Sequence, residues 1–210
     1  MPTRRAGRAS PERLLFHNAA RIRRTMDEKP EPPAEDDSPG RPMPGVPAAD
    51  APTAGLADLG SLLSSDEFTA LGAHTERLMA VLAREHVRGD IRVTVIDDAE
   101  MSRQHETHKN TPGTTDVLTF DLAPNNDRAL DADILICADE ARRQSGQRGH
   151  SAVSELMLYI VHAVLHCTGY DDADDEGDRG AKAMHAREDE ILTELGLGAV
   201  FHTQSAGDAS

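Results

Sequence analysis

The segment running from Leu156 to Asp172 (Leu-Met-Leu-Tyr-Ile-Val-His-Ala-Val-Leu-His-Cys-Thr-Gly-Tyr-Asp-Asp) constrains the fold of this chain more than any other. Wound as a helix it is apolar on most sides, so the fold must place it centrally and cover it. It nevertheless carries His162 and His166, four positions apart, which stack one turn apart on a single helix face where both imidazoles can reach one ion. Gly169 follows and can take the left-handed conformation that ends a helix and folds the chain back. That return can bring Asp172 beside the imidazoles as a third ligand. Three protein ligands leave a fourth position for water, the arrangement of a catalytic rather than a structural zinc site. The alternative is a buried helix with two hydrogen-bonded core histidines. The glycine and the acidic residue at this spacing favour the metal.

Ala163 limits what such a metal can do. A zinc protease of the His-Glu-x-x-His type carries its general base at that position. The spacing of ligands and glycine is that of the longer metzincin pattern, but the base is missing, which argues against peptide hydrolysis.

The rest of the chain reads as one modest domain with tails. Trp is absent and aromatics are 3%, so the core must be built from Leu, Val, Ile, Ala and Met. Most of the 12 prolines fall in residues 1–60, where apolar residues show no periodic order, and this segment reads as a disordered tail. It opens basic (Arg4, Arg5, Arg8, Arg13, Arg21, Arg23, Arg24) and turns acidic and Pro-rich. The basic start fits a nucleic-acid-binding arm, a targeting peptide, a solvated tail, or extra sequence upstream of the true start; the solvated or extra-sequence readings are preferred. The domain is expected over residues 61–200, with a second disordered tail at 201–210. Leu14-Leu15-Phe16 is too short for a secretory core, and Leu156–Val161 is far below a membrane span. Cys137 and Cys167 make no disulfide framework. These features read as cytoplasmic, with no membrane.

From Ser64 onward the elements are legible. Ser64-x-x-Glu67 is a capping box, and Leu71, Leu78, Val81 and Leu82 follow at helical spacing to about Val87, with a stop near Gly89. Ile91–Ile96 alternates and is β-branched, predicting a strand; Asp97 or Asp98 caps a short helix to about His105. A polar loop from His108 to Thr114 holds the Pro112-Gly113 turn signal. Val117–Leu122 and Asp133–Cys137 are the next strands, followed by helices at about Asp139–Gln147, Ser151–Thr168 and Asp175–Leu195. The class is α+β, a small mixed sheet packed with helices around the buried histidine helix.

Thr115-Asp116-Val117-Leu118-Thr119-Phe120, Ala132-Asp133-Ile134-Leu135-Ile136-Cys137 and the histidine segment ending Gly169-Tyr170-Asp171 resemble, in order and spacing, the YbeY family of bacterial rRNA maturation factors. The resemblance spans roughly residues 65–197 and extends to a terminal helix containing Glu190, Ile191 and Leu195. It implies a metal-dependent, single-strand-selective endoribonuclease with one zinc ion per chain, acting in small-subunit rRNA 3′-end maturation and ribosome quality control. RNA and the ribosome or small-subunit proteins are the implied partners. Three departures stand out. The family's third ligand, a histidine, falls on Asp172, whose carboxylate suits zinc but adds a negative charge; the family register also favours Asp172 over Asp171. The family's cleft arginine falls on Lys109, the catalytic candidate, which keeps the charge but loses the bidentate fork. The strand that opens the family domain has no clear counterpart among Gly55–Ser64.

Charge sharpens the question of substrate. The net charge of -15 lies wholly in residues 61–210, because residues 1–60 balance. An acidic domain is a poor non-specific RNA binder, so a local basic patch drawn from Arg92, Arg103, Lys109, Arg128, Arg142, Arg143 and Arg148, or a ribosomal partner, must supply the attraction. Much of the acidic excess, at Asp171–Asp178 and Glu188–Glu194, is expected away from the cleft. Cys137 and Cys167 read as core, His185 as surface, and His105 and His108 as loop histidines flanking the cleft. Two other functions fit parts of the pattern: a hydrolase of metzincin spacing, and a ribosome-associated binding factor with a structural metal. The general base of the nuclease reading is either metal hydroxide or the RNA's own 2′-hydroxyl, and the residues do not choose.

Overall fold

The computed structural model describes residues 20–21, 51–123, 129–171 and 180–199. Its elements in chain order are β1 (Ala20–Arg21), β2 (Thr53–Asp58), α1 (Ser65–Arg84), β3 (Arg88–Ile96), α2 (Asp98–Lys109), β4 (Val117–Asp121), β5 (Ala129–Cys137), α3 (Ala138–Arg148), α4 (Ala152–Cys167) and α5 (Ala181–Glu194). The fold is α+β: four strands form a mixed sheet, and the two-residue β1 pairs in parallel with β4 at its edge, giving the order β1-β4-β5-β3-β2. β2, β3 and β5 run parallel, and β4 lies antiparallel to β5 from Val117 opposite Ile136 to Asp121 opposite Ala132.

The helix starts follow local chemistry. Ser64 accepts from the Glu67 N–H while the Glu67 carboxylate accepts from the Ser64 N–H at 2.8 Å, closing the expected capping box of α1. Asp97 caps α2 and Ser151 caps α4, each through a side-chain oxygen accepting the N–H three residues on. α4 is buried from Val153 to His166 and packs against α1, α3, α5, β4 and β5. Its buried Glu155 accepts two hydrogen bonds from Arg148 and meets His150, so the turn from α3 into α4 is tied by charge-assisted bonds. The main core joins Leu71, Leu78, Ile91, Val93, Val95, Ile134 and Ile136 to the apolar faces of α4 and α5. A smaller cluster of Ile96, Met101, Leu118 and Cys137 sits where α2 meets the sheet, with Phe120 and Leu135 against it.

Several expectations change. The missing opening strand is present as β2, paired with β3 from Thr53 opposite Asp90 to Asp58 opposite Val95. Its Ala, Gly and Asp content hides it, because β propensity is low and pairing to β3 does the work. The folded part therefore reaches back into the segment assigned to a tail over residues 1–60. α1 ends at Arg84, and Gly89 is no helix stop: it lies inside β3 with φ 110°, where a Cβ would overlap the Leu130 carbonyl of β5. α2 extends to Lys109, so His105, His108 and Lys109 are helical rather than loop residues. β5 starts at Ala129, ahead of Asp133, and α5 starts at Ala181. The part of the terminal helix expected before Gly180, and the tail at 201–210, lie outside the described residues. Among the described residues no helix is long and apolar enough to cross a membrane.

Candidate metal centre

His162 and His166 project from the last two turns of α4 into the same buried space. Both are buried, with ring centroids 4.5 Å apart and planes at 89°. The two Nε2 atoms face each other at 3.1 Å. The outer nitrogens are each held by an oxygen: His162 Nδ1 lies 2.7 Å from Glu188 Oε1, and His166 Nδ1 lies 3.1 Å from the Tyr170 carbonyl. A carbonyl can only accept, and so can an ionised carboxylate, so in each ring Nδ1 carries the proton. In neutral imidazoles both Nε2 lone pairs then point at one locus inside the protein. A cation satisfies that pair of donors, and second-atom bonds to a carboxylate and a backbone carbonyl are the usual support of metal-binding histidines.

The turn after α4 builds half of this support. The Gly169 N–H donates to the His166 carbonyl and the Tyr170 N–H to the Leu165 carbonyl, the paired bonds of a Schellman ending, with Gly169 at φ 98°. The same turn aims the Tyr170 carbonyl back at His166. A side chain at residue 169 would strain the conformation that makes this return.

Glu188, expected with its acidic neighbours away from the cleft, is instead wholly buried on α5, opposite α4 and against His162. Its second oxygen, Oε2, lies 2.9 Å from His185 Nδ1, so His185 is a partner of the site and not simple surface. Burial raises the Glu188 pKa, but hydrogen bonds from His162 and His185 outweigh it and hold the carboxyl below its ordinary value. The sequence signal that could have found it is helical spacing: Met184, Glu188, Ile191 and Leu192 share the buried face of α5.

Asp116 is a second buried acid, at the entry to β4. Its Oδ1 accepts from the Thr115 hydroxyl at 2.9 Å and from the Val117 N–H at 2.8 Å, while Oδ2 is buried with no hydrogen-bond partner. Burial pushes its pKa up to about 6 against the opposing charge of His162 and those bonds.

Lys109 closes α2, half-buried, and burial lowers its pKa. It enters no ion pair among the described residues. The segment from Lys109 to Asp116 is anchored by buried His105, whose Nδ1 donates to the Gly113 carbonyl at 2.9 Å, and by Thr114 bonding Asp98 at 3.2 Å. The arginine candidates behave differently. Arg92 pairs with Asp131 and Asp133, Arg103 with Glu100, Arg142 with Asp139, Arg143 with Asp98 and Glu140, and Arg148 with Glu155. Arg128 lies outside the described residues, as does Asp172. Among the described residues no cluster of three or more His, Cys, Asp or Glu forms a ligand set. Asp171, the alternative ligand, is exposed. Cys137 is core as expected, its thiol pushed up to about 12 by burial, and Cys167 packs partly buried against the core.

Comparison with known proteins gives the family of the chain. A protein from Acidothermus cellulolyticus named Endoribonuclease YbeY is 33% identical over 122 residues, covering 52% of this chain and 73% of that protein. One of the same name from Moorella thermoacetica is 37% identical over 133 residues, covering 57% and 83%. The solution structure of TM1509 from Thermotoga maritima overlays with a TM-score of 0.50 at 19% identity, covering 75% of this chain and 97% of that one, which supports the fold. The family model described as Endoribonuclease YbeY matches residues 64–196. That span runs from the capping box of α1 through both histidines to the end of α5, and the chain belongs to the Endoribonuclease YbeY family.

Proposed function

We propose that the chain is a zinc-dependent, single-strand-selective endoribonuclease of the cytoplasm, acting in small-subunit rRNA 3′-end maturation and ribosome quality control. The observation that carries the metal part is the pair of Nε2 atoms converging at 3.1 Å with both Nδ1 atoms held by acceptors. His162 and His166 supply two ligands to one ion, and Asp172, ten positions after His162, supplies the third. A zinc ion held by these residues would supply Lewis acidity for phosphodiester chemistry. The burial of α4 keeps bulk water from the inner side of the histidines and sharpens local electrostatics. Lys109 meets the scissile phosphate and neutralises its developing charge. It can do so because no carboxylate among the described residues claims it, whereas five of the candidate arginines are already paired.

That pairing, with the net charge of -15, favours help from a ribosomal partner in gathering RNA. The test uses the full chain loaded with zinc, offered single-stranded and duplex RNA, beside His162→Ala. Cleavage of the single strand that disappears with the metal in His162→Ala is the expected result. Zinc binding and ribosome association without cleavage would select the binding factor with a structural metal, and cleavage of a peptide library in place of RNA would select the metzincin-spaced hydrolase.

A further inference from the structure

Three side chains from two helices form a continuous line leading out of the interior: buried His162 of α4, then buried Glu188, then partly exposed His185 of α5. Glu188 is fully buried, and a buried carboxylate needs a compensating partner on each oxygen. Here both partners are imidazole nitrogens, at 2.7 Å for Oε1 and 2.9 Å for Oε2. Buried Glu155 in the same fold is matched by a permanent cation, Arg148, together with His150, whereas both bonds described at Glu188 are to imidazoles. An imidazole differs from a guanidinium because its other nitrogen changes character with the first: an acceptor on Nδ1 forces the proton there and frees the Nε2 lone pair.

We infer that Glu188 is a positioning residue of the metal centre: it locks His162 in the Nδ1–H tautomer with Nε2 aimed at the ion, and His185 holds its second oxygen so that the carboxylate cannot turn away. The inference rests on the metal reading for its consequence but not for its geometry. The carboxylate fixes the ring direction and raises the basicity of Nε2, which strengthens a bond to a cation. His185 lies one turn before Glu188 on α5 and its side chain is 32% exposed, so the line runs from the buried centre out to the surface of α5. His166 is fixed by a different device, the Tyr170 carbonyl presented by the helix-ending turn. The two ligands are therefore oriented by independent parts of the chain, one local and one distant in sequence.

The experiment uses the full chain with Glu188→Gln and, separately, His185→Ala. Three quantities are read: zinc affinity by chelator competition, the His162 tautomer by nitrogen NMR in the metal-free chain, and the thermal transition. Glu188→Gln is near-isosteric, and its amide can accept from or donate to Nδ1. It should therefore admit the Nε2–H tautomer and weaken zinc binding by about tenfold or more. His185→Ala should move both readouts in the same direction by less, and it remains informative if Glu188→Gln fails to fold. A shift in melting temperature with unchanged zinc affinity and unchanged tautomer in the folded variants would overturn the positioning role and leave Glu188 as a packing residue. If the wild type binds no zinc while the tautomer still shifts in Glu188→Gln, the metal reading falls and the positioning stands.

Discussion

At the scale of single residues, the proposed function rests its chemistry on Lys109 and Asp172. Lys109→Ala should lower RNA turnover by on the order of a hundredfold while leaving zinc content intact, because it removes a charge from the phosphate and not a ligand from the metal. Lys109→Arg should retain or raise turnover, since a guanidinium can hold two phosphate oxygens. Burial lowers the Lys109 pKa from 10.5, so its charge is lost at lower pH than that of an exposed lysine. Turnover should accordingly decline on the alkaline side of the profile, and the decline should be absent in Lys109→Arg; equal rates for wild type and Lys109→Ala across pH would remove this residue from the mechanism. At the metal, Asp172→Ala should strongly reduce zinc affinity, Asp172→His should restore it with one negative charge fewer, and Asp171→Ala should do little. Zinc stoichiometry and chelator competition decide this. An empty site in Asp171→Ala beside a filled one in Asp172→Ala would move the ligand by one residue.

At the scale of elements, the strands are set by close backbone approach and by one buried charge. Gly89 sits in β3 opposite Leu130 of β5 at a φ that other residues rarely adopt, with the neighbouring carbonyl where a Cβ would go. Gly89→Ala should cost roughly 2–4 kcal/mol in denaturant unfolding, through strain and loss of register at the start of β3. Asp116 at the mouth of β4 gives a pH-dependent counterpart. Its native pKa, about 6, lies above the ordinary 3.8, so folding binds the proton more tightly than the unfolded chain does. This group therefore penalises the metal-free native state above pH 6, and the penalty fades as pH falls towards 4. Asp116→Asn keeps an oxygen for the Thr115 and Val117 bonds and removes the charge. It should stabilise the metal-free chain at pH 8 by up to about 3 kcal/mol, with the gain shrinking to nothing below pH 4. A gain of the same size at both pH values would show that ionisation of Asp116 is not its cause.

For the whole molecule, the sheet reaches further back in the chain than helical periodicity suggests. A truncation that begins at residue 51 keeps β2 entire and should retain the thermal transition, since among the described residues it removes only the two-residue pairing of β1. One that begins at Leu56 removes Thr53–Gly55, half of β2, and should lower the transition measurably; identical melting of the two would mean that β2 contributes nothing to stability. What the sequence determined by itself is what local rules decide: the capped helix starts at Ser64, Asp97 and Ser151, the β-branched strands, the i,i+4 histidines and the glycine that ends their helix. Their partners lie within a few residues, so spacing alone exposes them. What only the tertiary structure decided are contacts whose partners are distant along the chain. β2 is a strand because β3 lies beside it, not because its residues favour extension. Glu188 looks like one more solvated acid on a charged helix until α5 packs on α4 and places it against His162, 26 positions away. The arginines look available for RNA until folding brings carboxylates to them. Local periodicity records which face of an element is buried, but it does not record which other element covers that face, and both the orientation of His162 and the pairing of Arg92, Arg143 and Arg148 depend on that.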